Sequence, residues 1–178
     1  MSTTVVIDAS VALARVRREA GWQDIERLLR GWQATGTALC VPSHFWLEIS
    51  NALVRGHRMP AATVLEAVHR LDELAFETVE LDRPLLLLAL DLAERHALTM
   101  YDAAYLAVAE SLGGLLFSAD RELVAAAGSR GVSPSGMSDH RLSETPEEYQ
   151  VERRSTWPDY SGASAYLARL RSEASRTV

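Results

Sequence analysis

Lysine is absent from this chain, so all eighteen basic residues among its 178 positions are arginine. A phosphate-binding loop of the Walker type needs a lysine that reaches the phosphates, so the sequence excludes that class of nucleotide site. Cysteine is almost absent as well. The single thiol, Cys40, excludes an internal disulfide and any metal site built from several cysteines. Because Cys40 lies in an apolar segment, we expect a plain buried thiol.

Long apolar runs and metal-binding histidine patterns are also missing. No apolar run approaches the roughly 18 residues of a membrane span, and no basic segment followed by an apolar stretch suggests a secretion signal. We therefore expect a cytoplasmic protein with no membrane association. The five histidines show none of the spacings typical of a zinc site. The zinc enzymes that depend on such spacings are thus disfavoured.

The net charge is −6, and 48% of the residues are hydrophobic. This composition is typical of a globular domain with a sizeable core. Taken alone, the negative charge argues weakly against a nucleic-acid partner, because phosphate binding usually requires a basic surface. That argument fails if several carboxylates share one site and are neutralised by a metal ion.

Short apolar strands alternate with amphipathic helices along most of the chain. This order predicts an α/β domain of three layers, with a mainly parallel central sheet and helices on both faces. The predicted strands are 5–7, 37–41, 76–81, 115–117 and a short one near 132. The predicted helices are 10–18, 22–33, 42–55, 60–74, 82–96, 101–112 and 120–127.

The composition changes after about position 129, where Ser, Pro, Gly and charged residues become frequent. We expect a folded domain over residues 1–132 and a C-terminal extension over 133–178. The extension is predicted to be partly irregular, with a short helix at 163–174.

Four acidic residues are notable for their positions: Asp8 after the first strand, Glu48 within a helix, Asp102 in a first turn, and Asp120 after the strand at 115–117. Considered singly, each has an ordinary structural explanation. Glu48 suits a solvated helix face, and the three aspartates suit helix caps or first turns.

The four positions are not independent, however. Carboxyl ends of parallel strands meet at one edge of a sheet, where ligands gather. Carboxylates that converge there repel one another unless a cation is present. Mg²⁺ accepts a few carboxylates together with water and phosphate oxygens. The pattern therefore favours metal-dependent hydrolysis of a phosphodiester.

Four segments, read in order, resemble the PIN-domain family and in particular its VapC-type toxins. They are VVIDASVAL, VPSHFWLEISNAL, MYDAAYLAVAE and LLFSADREL. Each segment is unspecific by itself, whereas their order and spacing are specific. The family's acidic quartet falls on Asp8, Glu48, Asp102 and Asp120. A hydroxyl that is usually threonine is Ser118 here, and supporting positions of the family match Ser10 and Asn51.

The resemblance implies an endoribonuclease that uses Mg²⁺ or Mn²⁺. It places Asp8, Asp102 and Asp120 at the metal, with Glu48 completing the catalytic quartet. It also implies an RNA substrate, a cognate antitoxin protein that blocks the acidic pocket, and a homodimer. Proteins of the toxin branch typically end soon after the last motif. The extension beyond it thus puts the partner surface in doubt.

Three alternatives remain open. The first is a PIN-type nuclease that processes RNA without being a toxin, and the second is a non-catalytic RNA-binding module. The third, a sugar or acyl phosphatase built on Asp8, is disfavoured by the missing lysine and by serine at position 10. In the nuclease hypothesis, Arg15, Arg55 and Arg121 are candidate contacts for RNA phosphates, although solvated surface charge is the simpler interpretation.

Overall fold

The computed structural model describes residues 4–134. These residues form a five-stranded sheet with helices packed against it. The strands are β1 Thr4–Ile7, β2 Ala38–Pro42, β3 Glu77–Val79, β4 Leu115–Phe117 and β5 Gly131–Val132. The α-helices are α1 Ala9–Arg17, α2 Trp22–Ala34, α3 Phe45–Asn51, α4 Ala61–Asp72, α5 Arg83–His96, α6 Met100–Ser111 and α7 Arg121–Ala127.

All strand pairs are parallel, in the order β3-β2-β1-β4-β5. From β1 the chain adds β2 and then β3 on one side, and it later returns to add β4 and β5 on the other side. The order of addition therefore reverses between β1 and β4. In open parallel sheets, the crevice beyond such a switch point is the usual place for a ligand site.

Helix α6 is the central helix of the core. It packs on β1, β2 and β4 and also against α5, and its residues Ala103–Ala109 are all buried. Four of the ten residues from Tyr101 to Glu110 are alanine, and these small side chains allow this close approach. A small-residue surface lets a helix sit close to a sheet without large gaps.

Local sequence signals explain where several helices begin. The Asp82 side chain caps α5 by accepting a hydrogen bond from the Leu85 amide, and Pro84 occupies the first turn. Thr99 caps α6 by accepting from the Asp102 amide. These caps satisfy backbone donors that have no partner inside the helix.

One glycine is required by packing rather than by backbone conformation. A Cβ atom added to Gly131 would lie 2.3 Å from the carbonyl oxygen of Val124. Strand β5 therefore runs against α7 at a distance that only glycine permits. By contrast, a Cβ atom at Gly31 in α2 would meet nothing within 4 Å.

The α/β fold with a parallel sheet and helices in separate layers is confirmed, and so is the order of its elements. Two boundaries were wrong. The strand predicted over 76–81 is only Glu77–Val79. The helix predicted over 42–55 begins at Phe45, because Pro42 still belongs to β2, and it continues as a π-helical segment, Ala52–Gly56. The helix predicted at 163–174 lies outside the described residues.

Within the described part of the chain, no helix has both the length and the apolar character that crossing a bilayer requires.

Candidate active site

The site lies beyond the carboxyl ends of β1 and β4, at the switch point of the sheet. Asp8 directly follows β1 and Ser118 directly follows β4. The two strand ends are joined by a hydrogen bond from the Asp8 amide to the Phe117 carbonyl, at 3.0 Å. Two rigid, buried strands therefore fix the position of the Asp8 carboxylate.

Two serine hydroxyls hold the Asp8 carboxylate. Ser118 Oγ donates to Asp8 Oδ2 at 2.7 Å, and Ser10 Oγ donates to the same oxygen. The serines are themselves positioned by the following loop: Ser10 Oγ accepts from the Ala119 amide at 3.0 Å, and Ser118 Oγ accepts from the Asp120 amide at 2.9 Å. The backbone amides thus orient both hydroxyls, and the hydroxyls orient the Asp8 carboxylate.

The Asp8 carboxyl group carries uncompensated negative charge when it is ionised. Asp8 is only 4% exposed. Burial raises the pKa of Asp8, the hydrogen bonds from Ser10 and Ser118 lower it, and the charge of Asp102 raises it further. The net effect is a raised pKa for Asp8. A carboxylate held in this way is a strong electrostatic attractant for a cation.

Glu48 turns inward to the same region. Its Oε2 accepts a hydrogen bond of 2.8 Å from the hydroxyl of Tyr105, a fully buried residue of α6. Burial raises the pKa of Glu48, the Tyr105 bond lowers it, and the charges of Asp8 and Asp102 raise it. Glu48, Asp8 and Asp102 therefore interact electrostatically, although they come from three different elements.

Asp102 sits in the first turn of α6. Its side chain accepts from the Thr99 hydroxyl at 2.6 Å, while the Thr99 hydroxyl accepts from the Asp102 amide at 3.2 Å. This reciprocal pair fixes the start of the helix and the carboxylate together. The positive end of the helix dipole also lies at this turn, where a negatively charged side chain interacts favourably with it.

Asp120 behaves differently from the other three acids. Its Oδ1 caps α7 by accepting from the amides of Glu122 and Leu123, at 2.7 and 3.1 Å, and the residue is exposed. The structure thus places Asp120 next to the site through its backbone, which bonds to Ser118. Its side chain caps the N-terminus of α7.

The donor chemistry of the site fits a hard divalent cation. Among residues 4–134, no three His, Cys, Asp or Glu side chains are gathered closely enough to hold a metal ion between them. Mg²⁺ does not require such a cage, because it usually keeps several waters and takes one or two carboxylates. Asp8 and Asp102 offer that set, and the raised pKa of Asp8 marks the charge that a cation would neutralise.

A cleft of about 510 Å³ adjoins the acids. It is lined by His44, Leu47, Glu48, Asn51 and Tyr101. Within the described residues, neither ring nitrogen of His44 has a hydrogen-bond partner. His44 Nε2 lies 3.7 Å from Glu48 Oε2, which would be an ion pair only with a protonated ring. Burial lowers the pKa of His44, whereas the charge of Asp102 raises it, and burial prevails.

Sequence reasoning missed His44 and Tyr105. His44 was considered only as one of five histidines that lack the spacing of a zinc site, and Tyr105 was given no role. A usable signal was present in both cases. Tyr105 follows Asp102 by three positions and His44 precedes Glu48 by four, so each pair lies on one face of a helix. Asn51 was predicted to accompany Glu48, and it lines the same cleft.

The predicted arginine contacts divide into two groups. Arg15 was a poor choice, because its side chain is only 11% exposed and is bonded to Glu26. Burial in that ion pair removes it from any surface open to a substrate. Arg55 and Arg121 are exposed and remain predictions.

Together, the parallel sheet, the buried aspartate at its switch point and the nearby carboxylates of Glu48 and Asp102 define an α/β protein with a candidate cation site. The family model described as "PIN domain" matches residues 5–129. Ribonuclease VapC3 from Pyrobaculum aerophilum is 33% identical over 123 residues, which cover 67% of this chain and 91% of that protein. The chain therefore belongs to the PIN-domain family.

Solved structures agree on the fold. The crystal structure of PAE2754 from Pyrobaculum aerophilum matches with a TM-score of 0.55 and 27% identity, covering 75% of this chain and 85% of that one. VapC20 from Mycobacterium tuberculosis, described as a sarcin-ricin loop cleaving toxin, matches with a TM-score of 0.54 and 21% identity, covering 68% and 94%. At that identity, the second match bears on the fold alone.

Proposed function

We propose that this protein is an endoribonuclease that hydrolyses RNA phosphodiester bonds. The observation that carries the proposal is the buried Asp8 carboxylate, held by two serine hydroxyls at the switch point of the sheet. The relative named Ribonuclease VapC3 supports the choice of RNA, because the shared region covers almost all of that protein. The PIN-domain match over residues 5–129 spans all four acids.

The proposed cofactor is Mg²⁺ or Mn²⁺. Asp8 and Asp102 would hold it directly or through water, with Asp120 contributing through water. Such an ion supplies a nucleophilic hydroxide near neutral pH and stabilises charge on the phosphate oxygens.

The chain's own residues carry the remaining roles. Ser10 and Ser118 keep the Asp8 carboxylate in one rotamer. Glu48, held by Tyr105, orients the attacking water on the side of the site that faces the cleft. In-line attack at phosphorus would then leave a 3′-hydroxyl and a 5′-phosphate.

The test is cleavage of a defined RNA by the purified chain in Mg²⁺, in Mn²⁺ and in EDTA. Asp8→Asn should abolish cleavage with the fold retained, because it removes the central charge and nothing larger. Asp91→Asn is the matched control, since Asp91 pairs with Arg95 on the exposed face of α5. Undiminished cleavage by the Asp8 variant in Mg²⁺ would refute the assignment.

The biological role we propose is that of the toxin in a toxin–antitoxin pair. A complex from Klebsiella pneumoniae that is described as a toxin–antitoxin complex shares the fold at 16% identity, with a TM-score of 0.55. That likeness bears on the fold alone, so the role rests on the resemblance to VapC proteins. Expression of the chain should arrest growth, and co-expression of the neighbouring small gene product should relieve the arrest. An RNA-processing nuclease would cleave RNA without this relief.

We further propose a homodimer that uses α5. Leu86, Leu87 and Leu90 are 50%, 52% and 56% exposed and lie within two turns of one helix. Burying such a row against a second copy removes apolar surface from water. Sedimentation should give a dimer for the parent chain and a monomer for Leu90→Glu.

One observation favours a second candidate, the non-catalytic RNA-binding module. The Asp120 side chain accepts its hydrogen bonds from its own helix, through Oδ1. Titration with Mn²⁺ separates the two hypotheses, because a binding module should bind the ion poorly and leave RNA intact.

A further inference from the structure

Beside the acids lies a set of groups that the hydrolysis itself does not use. The Tyr101 ring is 65% exposed at the start of α6, and Leu47 is 73% exposed on α3. The His44 ring lies between the two tyrosines, with its centroid 5.7 Å from that of Tyr101 and 4.9 Å from that of Tyr105. Neighbouring exposed aromatic and apolar groups that line one cleft are typical of a binding surface.

We propose that this cleft binds one unpaired nucleobase of the RNA, next to the phosphate that is cleaved. The base stacks on the exposed face of Tyr101, and its edge meets His44 and Asn51. The inference rests on the proposed ribonuclease function and adds to it the element that selects the substrate.

Three observations favour a base over another occupant. First, proteins recognise unpaired RNA bases by stacking them on aromatic side chains and by hydrogen bonds to their edges, and the cleft offers both kinds of group. Second, both ring nitrogens of His44 are buried and without partners within the described residues. Buried polar atoms are normally satisfied, so they point to a polar ligand.

Third, the cleft and the acidic site share a residue. Glu48 lines the cleft and interacts electrostatically with Asp8 and Asp102. A phosphate at the acids therefore places the base of an adjoining nucleotide at the entrance of the cleft. A protein side chain in the same place would leave the polar edges of His44 and Asn51 less well matched.

The test first measures cleavage by the full chain of short RNAs in which the bases on both sides of the cleaved bond are varied. Tyr101→Ala should raise KM about tenfold with a smaller effect on kcat, because the base–ring stacking supplies binding. Tyr101→Phe keeps the ring and should behave like the parent chain. His44→Phe keeps the ring packing but removes both nitrogen atoms, so it should change which base is preferred.

A second measurement reports stacking without cleavage. An RNA with 2-aminopurine beside the cleaved bond is titrated with protein in EDTA. The parent chain and Tyr101→Phe should quench its fluorescence, and Tyr101→Ala should not. Leu65→Ala, an exposed change on α4, is the control for loss of apolar surface elsewhere.

The possible failures are distinguishable. If the parent chain cleaves no RNA, the proposed function is refuted and the base-binding site is refuted with it. If the parent cleaves RNA while Tyr101→Ala retains the parental KM, base preference and quenching, only the base-binding site is refuted. Loss of antitoxin binding by Tyr101→Ala with unchanged RNA kinetics would assign the cleft to a protein partner instead.

Discussion

The hydroxyl of Tyr105 on α6 donates a 2.8 Å hydrogen bond to Oε2 of Glu48 on α3. This bond connects two helices that are far apart in sequence, and it directs a long, flexible carboxylate towards Asp8 and Asp102. A glutamate side chain has several rotamers available, and a buried hydroxyl that selects one of them reduces the entropy lost on binding a substrate. Tyr105 is therefore a positioning residue in the proposed mechanism.

Replacing Tyr105 with phenylalanine tests that role. We expect Tyr105→Phe to lower kcat/KM and Mn²⁺ affinity by about tenfold, because partners that orient ligands typically contribute at this level. The ring and its packing against His44 are retained, so the unfolding midpoint should change little. Isothermal titration with Mn²⁺ and cleavage kinetics measure both effects. Parental values in both assays would exclude the positioning role.

Asp8 should limit the stability of the metal-free protein. Burial raises its pKa, so the ionised form opposes folding at neutral pH. Because the pKa of Asp8 is higher in the folded chain than in the unfolded chain, the free energy of unfolding rises as the pH falls towards the unfolded pKa. We expect Asp8→Asn to stabilise the metal-free chain at pH 7 by about 1 kcal/mol, as is common for substitutions at functional sites. Urea unfolding in EDTA measures this, and a variant less stable than the parent would contradict it.

The ion pairs of Glu26 should have the opposite pH dependence to Asp8 and should stabilise the fold at higher pH. Glu26 is bonded to Arg15 and Arg30, and the Arg15 hydrogen bond is the main cause that lowers its pKa from 4.5. Because the folded pKa is depressed, the stabilisation is present above pH 4.5 and is lost as the pH falls through the folded value.

Glu26→Gln should therefore destabilise the protein by about 0.5–1 kcal/mol at pH 7, with a smaller difference at pH 3. Unfolding curves of parent and variant at both pH values measure it. Asp91→Asn is the control, because the Asp91–Arg95 pair is about half exposed and should contribute little. A Glu26 effect that is independent of pH would mean that packing, and not charge, accounts for it.

Two glycines give a matched pair of substitutions: Gly131, where β5 closely approaches α7, and Gly31 in α2, which has open space around it. Gly131→Ala should destabilise the fold by about 1–3 kcal/mol, because the new methyl group would overlap the Val124 carbonyl and force the strand away. Gly31→Ala, in the last turn of α2 with open space around it, should stabilise by about 0.5–1 kcal/mol through helix propensity. Denaturant midpoints of the two variants measure both effects. Equal effects would show that the contact between Gly131 and the Val124 carbonyl does not determine the stability of the Gly131 variant.

Much of this protein follows from local sequence patterns. The apolar segment before Asp8 predicted β1, and the alternation of strands and helices predicted a parallel α/β sheet. Periodicity works for these elements because buried strands and amphipathic helices repeat over several residues. It fails at short transitions. Pro42 suited a helix start, yet it ends β2, because a tertiary strand pairing outweighs a local preference.

The sequence by itself determined the class of the fold, its family resemblance and the identity of the acids. Only the tertiary structure decided what each acid does. It buried Asp8 beneath two serines, turned Glu48 onto Tyr105 and left Asp120 capping its own helix. The physical reason is that hydrogen bonds between residues 57 or 110 positions apart depend on strand order and helix packing. Local sequence patterns therefore do not predict these contacts.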